Sequence, residues 1–255
     1  MLRVENLSKS FGGVEAMKNV SLDFPGRSLT AVIGPNGAGK TTFFNLISGH
    51  IRADTGNVWL DGENVMGFSS LQIVRRGMCR AFQVASIFPN MTLEESVTAA
   101  VTSRRGDLFS LGRRSPLADA RARAHQIIDM LGLSHRARAM STNLAHGEQK
   151  LLDIALALAL EPKVLLLDEP TAGMGSEERW AMIEKVHDLW RSAELTVVFI
   201  EHDMDIVFRI AQTIRVLKYG QVLAEGTADE IRRNQEVIDA YLGTDHAASA
   251  GAAAQ

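Results

Sequence analysis

The sequence predicts an α/β fold: a mostly parallel sheet as core, an N-terminal antiparallel β subdomain, and an inserted α-helical subdomain. Three observations lead there. Strand-like patterning fills the first third, helical periodicity takes over from Thr92, and strands alternate with helices after residue 163. Alternation of that kind implies parallel strands joined by helical crossovers.

The elements follow in order. Leu2, Val4 and Leu7 open a strand, an alternating stretch runs from Val14 to Phe24, and Leu29 to Ile33 is wholly apolar. Val58-Trp59-Leu60 ends at Asp61-Gly62, a turn signal. Thr92-Leu93-Glu94-Glu95 sets a capping Thr three residues before a Glu, so a helix starts there. Residues 103–116, rich in Arg, Gly and Ser, read as a mobile connection. Helical periodicity returns over 117–131 and 147–160. The last third predicts a strand at Val164–Leu167, a helix at Glu177–Ala193, a strand at Leu195–Ile200, a helix at Met204–Ala211 and a strand at Ile214–Leu217. The helical segment of about 90–162 is expected as an insertion in one domain spanning 1–244. The Ala-, Ser- and Gly-rich residues 245–255 are expected to be a disordered tail.

Composition narrows the classes. With 255 residues the chain is long enough for a sizeable core, and 46% apolar with 22% charged residues is an ordinary globular balance. A net charge of −3 gives no bulk attraction to nucleic acid, although Arg104, Arg105, Arg113 and Arg114 form a local basic cluster. The single cysteine, Cys79, excludes an internal disulfide and fits a reducing compartment. No apolar run approaches the ~20 residues of a membrane span. Met1-Leu2-Arg3-Val4-Glu5 meets charge too early for a signal peptide. A membrane role would therefore need another chain as anchor.

Gly34-Pro35-Asn36-Gly37-Ala38-Gly39-Lys40-Thr41 satisfies G-x-x-x-x-G-K-[ST] between an apolar strand and the helical run Thr42–Ile47. Glycines let successive backbone N–H groups turn inward on phosphate oxygens, and the helix N-terminus adds positive charge. Lys40 is placed for the β- and γ-phosphates, and the Thr41 hydroxyl for Mg²⁺. The core is thus expected to be a P-loop NTPase. A second signal is Val164-Leu165-Leu166-Leu167-Asp168-Glu169, an apolar strand ending in two acids. Ligands bind beyond the carboxyl ends of such strands. Asp168 is placed to hold Mg²⁺ and Glu169 to polarise an attacking water.

Leu144-Ala145-His146-Gly147-Glu148-Gln149 resembles the signature motif of ABC ATPases, usually LSGGQ. Gln83 resembles the Q-loop glutamine, which implies roles in catalysis and Mg²⁺ binding. His202 resembles the switch histidine, and Phe11 the aromatic that stacks on adenine. Ala172-Gly173-Met174 lies where the D-loop belongs. Singly, these are an ordinary glutamine, histidine and phenylalanine; their shared order along nearly the whole chain makes them specific.

The resemblance implies an ATPase with ATP and Mg²⁺, held at the cytoplasmic face of the membrane by permease subunits. It implies a second ATPase subunit, identical or sister, with each ATP between one phosphate loop and the other chain's Ala145, His146, Gly147 and Glu148. Phe11-Gly12-Gly13, Ala172-Gly173-Met174 and Val237–Gly243 resemble ATPases of branched-chain amino-acid and amide import, and the long segment 104–118 resembles the larger of that family's paired ATPases. A secreted substrate-binding protein is then an indirect partner. The lipopolysaccharide-export ATPase is a similar alternative. A soluble ABC protein acting on DNA or ribosomes would carry a coiled-coil insertion or fused ATPase halves. Two departures stand out: Ala145 replaces the signature serine, and Gly175 takes the D-loop aspartate position. The segment from Gln83 through Ile87-Phe88-Pro89 is expected to offer apolar surface to a permease helix.

Overall fold

The computed structural model describes residues 1–81, 88–105 and 116–241. In chain order the strands are β1 (Leu2–Phe11), β2 (Val14–Phe24), β3 (Leu29–Ile33), β4 (Thr55–Leu60), β5 (Glu63–Asn64), β6 (Met78–Ala81), β7 (Val164–Asp168), β8 (Thr196–Ile200), β9 (Thr213–Lys218) and β10 (Gln221–Gly226). The helices are α1 (Lys40–Ile47), α2 (Ser70–Arg75), α3 (Leu93–Arg105), α4 (Pro116–Met130), α5 (His146–Ala159), α6 (Ser176–Ser192), α7 (Met204–Ile210), α8 (Ala228–Arg233) and α9 (235–241). They group into two compact units: Met1–Ser70 with Thr196–Gln255, and Leu71–Leu195.

The first unit holds two strand systems. β1 and β2 form a hairpin across Gly12-Gly13, both at positive φ, and β4 and β5 extend it antiparallel in the order β2-β1-β4-β5. This is the N-terminal antiparallel subdomain the alternating pattern predicts. β3, buried at all five positions, lies between parallel β8 and β9, with β10 antiparallel outside β9. A strand hidden on both faces has no use for alternation, hence the continuous apolar run. Phe24, Phe43 and Phe44 fill the core as tilted rings with centroids 6.2 and 6.4 Å apart.

In the second unit β6 and β7 are parallel, with Ala81 opposite Leu167. The helices α3, α4 and α5 fall between them in sequence and pack on one another. The α3 start is a capping box: Thr92 Oγ1 accepts from Glu95 N–H at 3.2 Å, and the Glu95 carboxylate accepts from Thr92 N–H at 2.8 Å.

The structure differs from the sequence reading in several elements. α3 runs on to Arg105, so the connection expected from 103 starts later; Arg104 sits in the last helical turn, where a cation suits the negative helix end. The second compact unit, 71–195, holds α3, α4 and α5 together with β6, β7 and α6. β6, β10, α2, α8 and α9 were not foreseen. Residues 106–115, with Arg113 and Arg114, and the tail 245–255 lie outside the described residues.

Candidate active site

The phosphate loop leaves β3 at Gly34. Parallel pairing sets Val32 opposite Ile200 and Ile33 opposite Val216, so Gly34 and His202 lie at the same carboxyl end of these strands. Gly34 adopts φ +152, and a Cβ there would sit 2.1 Å from the Leu217 carbonyl oxygen. Gly39, at φ +100, has the Ala16 carbonyl 2.8 Å from where its Cβ would be. Neither position tolerates a side chain, which is the physical content of the motif's two outer glycines.

α1 starts at Lys40 with no side-chain cap hydrogen bond and no acid in its first turn. That is the arrangement of an anion site. Lys40 is buried and donates to the carbonyls of Gly34 at 2.7 Å and Pro35 at 3.1 Å. Asn36 and Gly37 are exposed at the rim, Ala38 is buried, Thr41 is exposed and Thr42 half-buried. The loop is braced by the turn after β9: Gly220 N–H donates to the Ala38 carbonyl at 3.0 Å, and Lys18 N–H to the Gly220 carbonyl at 2.7 Å.

Phe11 stands at the tip of the β1–β2 hairpin, 45% exposed. The Lys9 ammonium lies 5.4 Å from its ring centroid and is held by Asp54 at 2.6 Å. Lys9 and the Ser10 amide hold the Asp54 carboxyl below its usual range. His202 is exposed, and its backbone N–H donates to the buried Glu201 carboxylate at 3.3 Å. Tyr241 of α9 reaches the same loop: burial pushes its phenol up to about 12, opposed by the Gly34 backbone.

In the second unit Asp168 closes β7, buried, and its carboxylate is ion-paired with Arg80 of β6. Sequence reasoning missed Arg80, because nothing local in the sequence ties it to Asp168, 88 positions away. Mg²⁺ takes one or two protein oxygens beside phosphate and water. The Thr41 hydroxyl and the Asp168 carboxylate have that hard-oxygen chemistry, and no group of three or more His, Cys, Asp or Glu side chains that could hold a metal ion occurs among the described residues. Gln83 lies outside the described residues, as does Ile87; Phe88 is half-buried.

Glu169 is half-buried at φ +48, a left-handed conformation that costs a non-glycine residue on the order of 1–3 kcal/mol. Pro170 follows and supplies no amide to the turn. Two donors reach the Glu169 carbonyl oxygen: the Ala172 N–H at 3.1 Å and the Lys150 ammonium at 2.7 Å. Lys150, on α5, is the second residue the sequence analysis passed over.

The motif 144–149 turns into α5. Leu144 is buried, and Ala145 is the N-cap, in extended conformation with no side-chain oxygen to offer. Glu148 supplies the reciprocal half of a capping box, accepting from Ala145 N–H at 2.9 Å, and pairs with Arg136 at 2.8 Å. Burial works against its carboxylate, but these partners and His135 leave the pKa below normal. His146 Nε2 donates to the Ala172 carbonyl at 3.2 Å, and its ring fills the space over Gly173. Gly147 is half-buried, near Met174. Gly175 is the N-cap of α6.

Comparison with known proteins gives these geometries a context. The family profile described as "ABC transporter" matches residues 17–172, and that described as "Branched-chain amino acid ATP-binding cassette transporter" matches 221–247. The chain is 38% identical over 249 residues to the high-affinity branched-chain amino acid transport ATP-binding protein LivG of Salmonella typhimurium, covering 95% of this chain and 98% of the relative. Identity to the corresponding protein BraF of Pseudomonas aeruginosa is 36% over 250 residues, with the same coverage. Among solved structures, an ABC transporter's ATP-binding cassette in its ADP conformation superposes with a TM-score of 0.83 at 28% identity, covering 95% and 98% of the two chains. A dimeric bacterial ABC transporter cassette gives 0.76 at 26% identity, covering 89% and 99%.

Proposed function

Since the chain belongs to the ABC transporter ATP-binding family, we propose that it hydrolyses ATP to power uptake of branched-chain or related amino acids through partner permeases. ATPases of this family bind ATP, work with membrane permeases and form dimers. The match over residues 221–247 and the relatives' names support the amino-acid reading. No described helix is long and apolar enough to cross a membrane. The permease would hold the chain at the cytoplasmic face, with a secreted binding protein delivering substrate from outside.

The observation that carries the reading is the phosphate loop, where uncapped α1 amides and the buried Lys40 ammonium converge. Gly34 to Thr42 would cradle the phosphates, with Lys40 exchanging the loop carbonyls for β- and γ-phosphate oxygens. Phe11 would stack on the adenine. Thr41, Asp168 and Gln83 would hold Mg²⁺, which when bound neutralises phosphate charge. Glu169 would orient the attacking water and accept its proton, while His202 donates to the γ-phosphoryl group as it leaves. Ala145, His146, Gly147 and Glu148 would face the γ-phosphate of ATP bound to the other ATPase subunit.

The test is reconstitution with the permeases in vesicles. Labelled leucine uptake should require ATP and fall to background with Lys40→Ala. ATP-driven uptake of an unrelated solute, with none of leucine, isoleucine or valine, would overturn the substrate class.

A further inference from the structure

We infer that Lys150 is a positioning residue for ATP hydrolysis, through which the helix carrying the 144–149 motif fixes the backbone at Glu169. The inference deepens the proposed function and rests on Glu169 acting there as the base.

Glu169 occupies a left-handed conformation that few side chains adopt, directly before a proline. Something must hold it. A carbonyl oxygen offers two lone pairs, and at Glu169 both have donors: the Ala172 amide from its own turn, and Lys150 from α5. Lys150 is buried, and its 2.7 Å bond is charge-assisted, hence strong and directional. The Glu169 carbonyl and side chain branch from one Cα, so losing the carbonyl's anchor lets that Cα shift and carries the carboxylate with it.

The tie has a second strand. One turn toward the start of α5, His146 donates to the Ala172 carbonyl. α5 therefore grips the segment 169–173 at both ends. One turn the other way, Asp153 is buried, and burial raises its pKa against the opposing pull of the Lys150 charge. The same helix presents its N-terminus, with Gly147, at the motif that would meet the other subunit's ATP. Engagement of that N-terminus and the aim of Glu169 are then mechanically linked within one chain.

The experiment uses the full chain with its permease and Mg-ATP. Lys150→Met keeps length and apolar stem but removes the donor. It should lower kcat about ten- to a hundredfold, the range expected when a reacting group is misplaced by about an ångström. KM should stay within about twofold, because phosphate binding is untouched. Lys150→Arg, which restores a cationic donor, should recover much of kcat. If the lone Asp153 charge prevents Lys150→Met from folding, Lys150→Met with Asp153→Asn removes both charges together, and the same kcat loss is expected. Glu169→Gln separates the two readings. If it abolishes turnover while folded Lys150→Met or the double variant keeps wild-type kcat, the positioning role of Lys150 is overturned and the base assignment stands. If Glu169→Gln turns over normally, the base assignment itself fails. Lys150→Met added to Glu169→Gln should lower turnover no further; an additional tenfold loss would show that Lys150 acts by another route and would overturn the proposal.

Discussion

Ala145 was legible in the sequence as a departure from a serine. The structure adds that it is the N-cap of α5, where alanine offers no oxygen to the first-turn amides. Ala145→Ser therefore has two separable consequences. A serine N-cap is worth about 1 kcal/mol, or roughly 2–4 °C in a chain of this size. If the same hydroxyl also reaches the γ-phosphate, a hydrogen bond to a charged group of roughly 1.5–3 kcal/mol raises turnover about ten- to a hundredfold. The melting temperature without nucleotide reads the first effect and steady-state hydrolysis with the permease reads the second. Both should rise; a higher melting temperature at unchanged turnover would confine residue 145 to capping. The partners of Asp168 and Glu169 were not legible. Arg80 lies 88 positions from Asp168 and Lys150 lies 19 from Glu169, and pairings across elements leave no local signature.

At the scale of elements, patterning carried the strands and helices that are long or buried. The continuous apolar runs of β3 and β7 and the Thr92 box each have one physical cause, and each was read correctly. β6 was missed because Met78-Cys79-Arg80-Ala81 is four residues broken by a charge. β10 was missed because its hairpin turns on Tyr219-Gly220 with both residues left-handed, where the usual signals are Asn-Gly or Asp-Gly. α5 carries an internal penalty that the sequence hid inside an apolar helix. Asp153 is buried, its Oδ2 has no hydrogen-bond partner among the described residues, and burial raises its pKa to about 7 despite Lys150. The folded chain thus holds this proton more tightly than the unfolded chain, whose ordinary value is 3.8. The contribution is fully present below about pH 4 and is lost as pH rises toward about 7. Asp153→Asn should therefore raise the melting temperature at pH 8, by roughly 2–4 °C for each kcal/mol relieved, and change it little near pH 4. An equal shift at both pH values would mean that Asp153 does not titrate in this window.

For the whole molecule, the two compact units divide the chemistry. One carries the phosphate loop, Phe11 and His202; the other carries Asp168, Glu169 and the 144–149 motif. Family membership was legible because the motifs keep their order along the chain. Dimer composition was not, since no motif in the chain distinguishes pairing with an identical subunit from pairing with a sister ATPase. In the proposed mechanism Glu169 drives hydrolysis of an ATP that also joins two ATPase subunits. Light scattering with bound-nucleotide analysis of Glu169→Gln in Mg-ATP, beside phosphate release, tests it most directly. Intact ATP should be retained in a dimer, with this chain or with a sister ATPase added, and hydrolysis slowed by about 10²–10⁴-fold. Hydrolysis near the wild-type rate, or a monomer that keeps ATP bound even with the sister ATPase present, would contradict it.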